Sequence, residues 1–191
     1  PFHRLLYYHA LHELTRDAVD SPLPGSHMFA VWGKQTVESH MLVGRTFELA
    51  GGEMFDTDKA LLQFQGEEGI PFVSVAWPGM MGVVTGVNAR RLFVSVNSAR
   101  SDDDLADGVP LTLLAREILE RASSIKDAIK LIKEQPAMVP GIFLLADGKA
   151  QDAVVLEYTP SNTAIRKGAA GRVFAANHLV DPKFKGDAAN D

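Results

Sequence analysis

No cysteine occurs in the 191 residues, which excludes disulfide frameworks, thiolate metal sites and a thiol nucleophile. No apolar run approaches the ~20 residues that a helix needs to cross a bilayer. Residues 1–20 are not a secretory signal either, because His, Arg, Glu and Asp interrupt any apolar centre. Positive charge is scarce: 19 Lys and Arg stand against 24 Asp and Glu, a formal net charge of −5. Basic pairs such as Arg90-Arg91 are isolated, so the clustered cations that neutralise nucleic-acid phosphates are missing. Aromatic residues make up 8% of the chain, and basic residues do not interleave with Trp32 and Trp77. These two therefore read as core or pocket wall, not as a stacking platform for bases.

What is present is ordinary for a globular protein. Hydrophobic residues are 46% and charged residues 23%, enough apolar material for one domain with a substantial core. The chain opens on Pro1, not Met, which leads us to expect an upstream segment removed by processing or trimming. Leu5, Leu6, Tyr8, Leu11 and Leu14 predict an amphipathic helix over 3–14. The stretch Ser21-Pro-Leu-Pro-Gly25 ends it.

Short β-branched runs then predict strands at His27–Trp32, Met41–Gly44, Leu61–Phe64, Pro71–Ala76, Met80–Val87 and Leu92–Val96, with Asn88-Ala89-Arg90-Arg91 as a hairpin turn. The period changes in the middle. Leu111, Leu114, Ala115, Ile118, Leu119 and Ala122 share a helix face behind Pro110. Ser124 with Asp127 is an acidic variant of the capping box, opening a second helix that Pro136 and Pro140 close. Strand signals resume at Ile142–Ala146, Ala153–Tyr158, Ala164–Arg166 and Arg172–Ala175, and the polar stretch Lys185–Asp191 reads as a frayed tail. Strand blocks bracketing a helical pair predict a layered α+β fold, not alternating βαβ units.

Four elements could carry chemistry. Ser26 follows Gly25 at the entry to a strand. A hydroxyl is a poor nucleophile until a base takes its proton, and the nucleophile's own α-amine can serve once the chain is cut before it. Glycine upstream suits such a cut, since a backbone without Cβ tolerates strained geometry. A Gly-Ser pair after proline is equally an ordinary turn. Arg45 and Glu48, beyond the second strand, pair a forked donor with a carboxylate able to orient an amine or hydroxyl; the same spacing also suits a surface ion pair. Asn97 and Asn177 each end an apolar run, where their NH₂ groups could meet a developing oxyanion or simply cap a turn.

The segment Gly25-Ser-His-Met-Phe-Ala-Val-Trp-Gly33 resembles the Gly-Cys-Thr-Ser-Phe-Ala-x-Trp-Gly start of the acyl-coenzyme A:6-aminopenicillanic acid acyltransferase family. Gly44-Arg-Thr-Phe-Glu48 is similar to its Gly-Arg-Asn-x-Asp. Trp77-Pro-Gly79, Gly82-Val-Val-Thr-Gly-Val-Asn88, Val94-Ser-Val-Asn-Ser98, Leu114-Ala-Arg-Glu-Ile-Leu119 and Ala175-Ala-Asn-His178 resemble further family blocks, in the same order. The resemblance implies an α+β N-terminal-nucleophile sandwich, αββα in layers, of two stacked antiparallel sheets flanked by helices and incomplete at its C-terminus. It divides the chain into a helix and linker pro-segment over 1–25 and a partial catalytic domain over 26–191.

It also implies autoproteolysis between Gly25 and Ser26, attack by Ser26 Oγ on an acyl amide or thioester, Arg45 and Glu48 orienting the freed amine and the leaving group, and Asn97 and Asn177 as oxyanion or substrate-amide donors. Three positions depart from the family pattern: Ser26 for Cys, Thr46 for Asn and Glu48 for Asp. They keep open a catalytically inactive member, or an uncleaved precursor, that acts as a binding or structural module.

No cofactor or metal is expected. The pair His9 and His12, with Glu13 beside them, lacks an obvious third ligand, and Gly79–Gly86 has no following Lys-Ser/Thr for a phosphate loop. Asp102-Asp103-Asp104 reads as a solvated loop. The expected partner is a small-molecule acyl-amide or acyl-thioester, with no nucleic acid and no membrane span. A homo-oligomer is compatible with the sequence.

Overall fold

In the computed structural model the structure describes residues 3–4, 25–48, 57–103 and 107–190. Most of the predicted helix at 3–14, with His9 and His12, and Asp104 lie outside them. Ten strands and two α-helices of the described residues build the fold. In chain order they are β1 His27–Val31, β2 Leu42–Thr46, β3 Ala60–Phe64, β4 Phe72–Ala76, β5 Thr85–Asn88 and β6 Leu92–Ser98. Then come α1 Leu111–Arg121, α2 Ile125–Glu134, β7 Gly141–Asp147, β8 Asp152–Tyr158, β9 Thr163–Lys167 and β10 Arg172–Ala175.

Two antiparallel sheets result. The larger has seven strands in the order β3-β4-β5-β6-β7-β8-β9, and the smaller has three in the order β10-β1-β2. Every large-sheet neighbour follows directly in sequence, so the large sheet is a meander interrupted only by the helical pair between β6 and β7. Alternation along the central strands separates two cores. Val94, Val96, Phe143, Leu145, Val154 and Leu156 face α1 and α2, whereas Ile142, Leu144, Ala146, Ala153 and Val155 face the small sheet with Met28, Ala30 and Val173. The layers are therefore helices, large sheet and small sheet, an α+β sandwich.

The helices form where their apolar periods predict. Leu111, Leu114, Ala115, Ile118 and Leu119 are the buried face of α1, and Ser124 caps α2 by accepting a hydrogen bond from Asp127 N. Strand limits agree within a few residues except at one place. The predicted strand over Met80–Val87 begins only at Thr85. Upstream, Met80 N closes a turn on Trp77 O, and Val83 N is drawn to Thr112 O of α1 at 2.8 Å, so the backbone there serves the helix layer instead of a ladder. The expected frayed tail is also corrected: Asn190 exchanges two hydrogen bonds with Leu179, and Asp187 accepts from Ser101 and from Asp102 N. Asp102 and Asp103 are loop residues that bond within the protein, Asp103 to Thr159 and Ser161.

Candidate active site

Period-two alternation brings the sequence-predicted side chains to one place. On β1, Met28 and Ala30 are buried against the large sheet while His27 and Phe29 face away, so Ser26, two residues before Met28, points inward as well. It is 2% exposed. Met28 pairs with Ala175 on β10 and with Arg45 on β2. Continuing both registers by two residues sets Ser26 opposite Asn177 on one side and opposite Phe47 on the other. From the large sheet, Phe93 and Ser95 of β6 share the inward face with Asn97. Four sequence candidates thus occupy the gap between the sheets at one end of the sandwich.

Ser26 Oγ accepts a hydrogen bond from Glu48 N at 3.3 Å. A Cβ built on Gly25 would lie 2.8 Å from Glu48 Oε2, so the Glu48 carboxylate packs against the backbone just ahead of Ser26, where a larger residue would push it aside. The segment after β2 therefore presents both its backbone N–H and its carboxylate to the Gly25-Ser26 link.

Arg45 takes a different direction from Glu48. Its guanidinium crosses from the small sheet to the large one, donating through Nη1 to Val84 O and Thr85 Oγ1, both at 2.5 Å, and through Nη2 to Val96 O at 2.5 Å and Asn97 Oδ1 at 2.9 Å. All four acceptors are neutral. Nε is buried without a hydrogen-bond partner, and the Phe47 ring lies 4.4 Å beneath Cζ, a cation–π contact. Burial of the charge pulls the Arg45 pKa down to about 9, which leaves it a cation at neutral pH.

Asn97 completes the bridge. Its Nδ2 donates to Ser26 O and to Ala176 O, both at 3.0 Å, and its Oδ1 accepts from Arg45. Both amide hydrogens are thus committed to backbone carbonyls beside β1 and β10, and the geometry makes Asn97 a holder of the Ser26 backbone. Asn177 Nδ2 donates to Ser98 O at 2.9 Å. Thr46, at a position that departs from the family pattern, lies on the outer face and accepts from His27 N at 3.0 Å.

Two residues were given no role by the sequence reading. Thr85, first residue of β5 and the threonine of the Gly82–Asn88 block, helps seat Arg45. Glu157 is a fully buried carboxylate on the inward face of β8; its signal is a lone acidic residue inside the apolar run Ala153–Tyr158. Among the described residues no group of three His, Asp or Glu side chains could hold a metal ion, and no helix is long and apolar enough to cross a membrane.

Comparison with known proteins agrees with this architecture. Residues 52–190 match the model of the acyl-coenzyme A:6-aminopenicillanic acid acyl-transferase family; Asn97 and Asn177 lie inside that stretch, while Ser26, Arg45 and Glu48 precede it. An N-acylethanolamine-hydrolyzing acid amidase ortholog from Caenorhabditis elegans superposes with a TM-score of 0.64 at 15% identity, covering 84% of this chain and 73% of that one. A mutant conjugated bile acid hydrolase from Clostridium perfringens gives 0.58 at 12% identity, covering 82% of this chain and 54% of that one. At these identities the two superpositions show the fold alone. An uncharacterized protein of Archaeoglobus fulgidus is 26% identical over 142 residues, which is 72% of this chain and 24% of that relative. The chain spans about a quarter of that relative's length.

Proposed function

Because the chain belongs to the acyl-coenzyme A:6-aminopenicillanic acid acyl-transferase family, we propose that it cleaves or transfers an acyl group at an amide, through an ester formed on Ser26 after cleavage of its own Gly25-Ser26 bond. The observation that carries this reading is the surround of Ser26: an inward Oγ facing Glu48 N–H, with Gly25 against the Glu48 carboxylate and the Ser26 carbonyl held by Asn97.

In the first stage Ser26 Oγ adds to the Gly25 carbonyl carbon. The Gly25-Ser26 C–N bond breaks as the C–Oγ ester forms, and the proton leaving Oγ goes to the departing nitrogen. Water then hydrolyses the ester, releasing the Gly25 carboxylate and a free amine on Ser26. In the second stage that amine takes the Oγ proton as Oγ attacks a substrate carbonyl, and the proton passes to the leaving amine of the substrate. Water, or an acceptor amine, regenerates the hydroxyl. Glu48 is suited to accept from the new ammonium group, and the Arg45 cation, which has no carboxylate partner among the described residues, supports negative charge developing nearby. Since both hydrogens of Asn97 hold backbone carbonyls, Asn177 is the better placed of the two for the oxyanion.

A second reading, an uncleaved and inactive binding module, is favoured by the 2% exposure of Ser26 together with the loss of the cysteine found in the resembling motif. Intact mass and N-terminal sequencing of the folded protein separate the two. Self-processing yields a new terminus at Ser26, and Ser26→Ala abolishes it. A full-length chain that gains cleavage only as Ser26→Cys identifies an intact site with a disabled nucleophile. A chain that stays whole in both forms removes the catalytic reading.

A further inference from the structure

Glu157 has no place in the chemistry above, yet it is 0% exposed between the sheets. A carboxylate so placed costs several kcal/mol unless its oxygens are fully bonded. Here three donors converge on it. Oε1 accepts from Arg166 Nε of β9 at 2.5 Å, and Oε2 accepts from Val180 N at 2.9 Å and Asp181 N at 2.8 Å. Arg166 donates in turn through Nη2 to Phe174 O of β10 at 3.1 Å.

These bonds bracket residues 175–179, with Asn177 at their centre. Arg166 grips the backbone ahead of Asn177, at Phe174, and Glu157 grips it behind, at Val180 and Asp181. Between them Asn97 holds Ala176 O. An apolar side chain in place of Glu157 could fill the same space, but it would take the carboxylate acceptor from the Val180 and Asp181 N–H groups and leave the course of the chain past Asn177 unspecified. We propose that Glu157, through Arg166 and the Val180-Asp181 backbone, is a positioning residue that fixes Asn177 opposite Ser26. Its effect on turnover rests on the reading of Ser26 as nucleophile; its effect on the Asn177 segment does not.

The test uses the full chain as Glu157→Gln, Asn177→Ala and the double variant, with Glu157→Asp as the conservative control. In Glu157→Gln, hydrogen exchange at the Val180 and Asp181 amides accelerates by about tenfold or more while α1 and β7 keep their protection, and the Asn177 side-chain amide resonance moves. With hexanoyl p-nitroanilide as probe, kcat falls by about tenfold with KM little changed. The double variant is no slower than Asn177→Ala alone, because Glu157 acts through that residue, and Glu157→Asp recovers part of the loss. Losses that multiply in the double variant, or unchanged exchange at Val180 and Asp181, overturn the proposal. Should the parent protein turn over no acyl probe, the Ser26 reading fails by itself, while exchange and the Asn177 resonance still decide the role of Glu157.

Discussion

At the scale of single residues, Arg45 is the most constrained group of the site. A guanidinium whose folded pKa is pulled down to about 9 opposes folding while charged, and that opposition is relieved as pH rises past the folded value. Its donors serve Val84 O, Thr85 Oγ1, Val96 O and Asn97 Oδ1, although Val84 O also accepts from Val96 N. Arg45→Lys preserves the charge but offers three donors to four acceptors, so it should lower stability by roughly 1–3 kcal/mol, measurable by urea unfolding. The pH profile follows from two groups. The freed Ser26 amine must be neutral to act as base, which raises kcat/KM through about pH 8. Loss of the Arg45 cation then lowers kcat/KM beyond about pH 9. A profile that stays flat to pH 10 would remove the Arg45 charge from the reaction.

At the scale of elements, the β5–β6 hairpin shows what a motif can mean. Asn88, the last residue of the Gly82–Asn88 block, points away from the candidate site. Its Nδ2 donates to Leu119 O and Ala122 O at the end of α1, at 3.0 and 2.8 Å, while its Oδ1 accepts from Arg90 N and Leu92 N. One buried amide thus closes a turn, in which Arg91 carries φ 65°, and ties it to a helix C-terminus whose carbonyls lack intrahelical partners. Asn88→Ala should cost about 2–4 kcal/mol, read by thermal unfolding, yet leave Ser26 processing intact in whatever fraction is folded. Loss of processing in the folded fraction would mean that the hairpin also shapes the site.

The sequence made these elements legible because their signals are local: period 3.6 for α1, the Ser124-Asp127 cap for α2, and period two for the strands. Which strand joins which sheet was not legible, since β1 and β10 pair across most of the chain. The occupied amide of Asn97 and the buried bonds of Glu157 depend on that pairing, and no spacing in the sequence encodes them.

At the scale of the whole molecule the two sheets are unequal, seven strands against three. The small sheet is joined to the large one at both flanks, by Arg45 of β2 and, beside β10, by Asn97 at Ala176 O and Arg166 at Phe174 O. Toward its β3 edge the large sheet presents apolar side chains on its inner face, with Gln63 and Thr85 among them. Leu61 is directly opposed to Val75, and Val73 to Val87. Leu61, Val75 and Val87 are 72%, 40% and 37% exposed. Cross-strand apolar pairs of this kind cluster exposed apolar surface instead of scattering it. The native protein should therefore bind an apolar fluorescent dye such as anilinonaphthalene sulfonate without unfolding. Leu61→Thr with Val75→Thr places β-branched side chains at both positions while adding hydroxyls, so each change should alter stability by no more than about 0.5 kcal/mol. Dye emission should drop by at least about half. Val75 pairs with Thr85, an acceptor of Arg45, but threonine at Val75 leaves that strand pairing and the Arg45 bond in place, so processing at Gly25-Ser26 should be unaffected. Unchanged dye emission in the double variant would show that this face is covered in solution, whereas lost processing would show that the outer strands of the large sheet take part in setting the site.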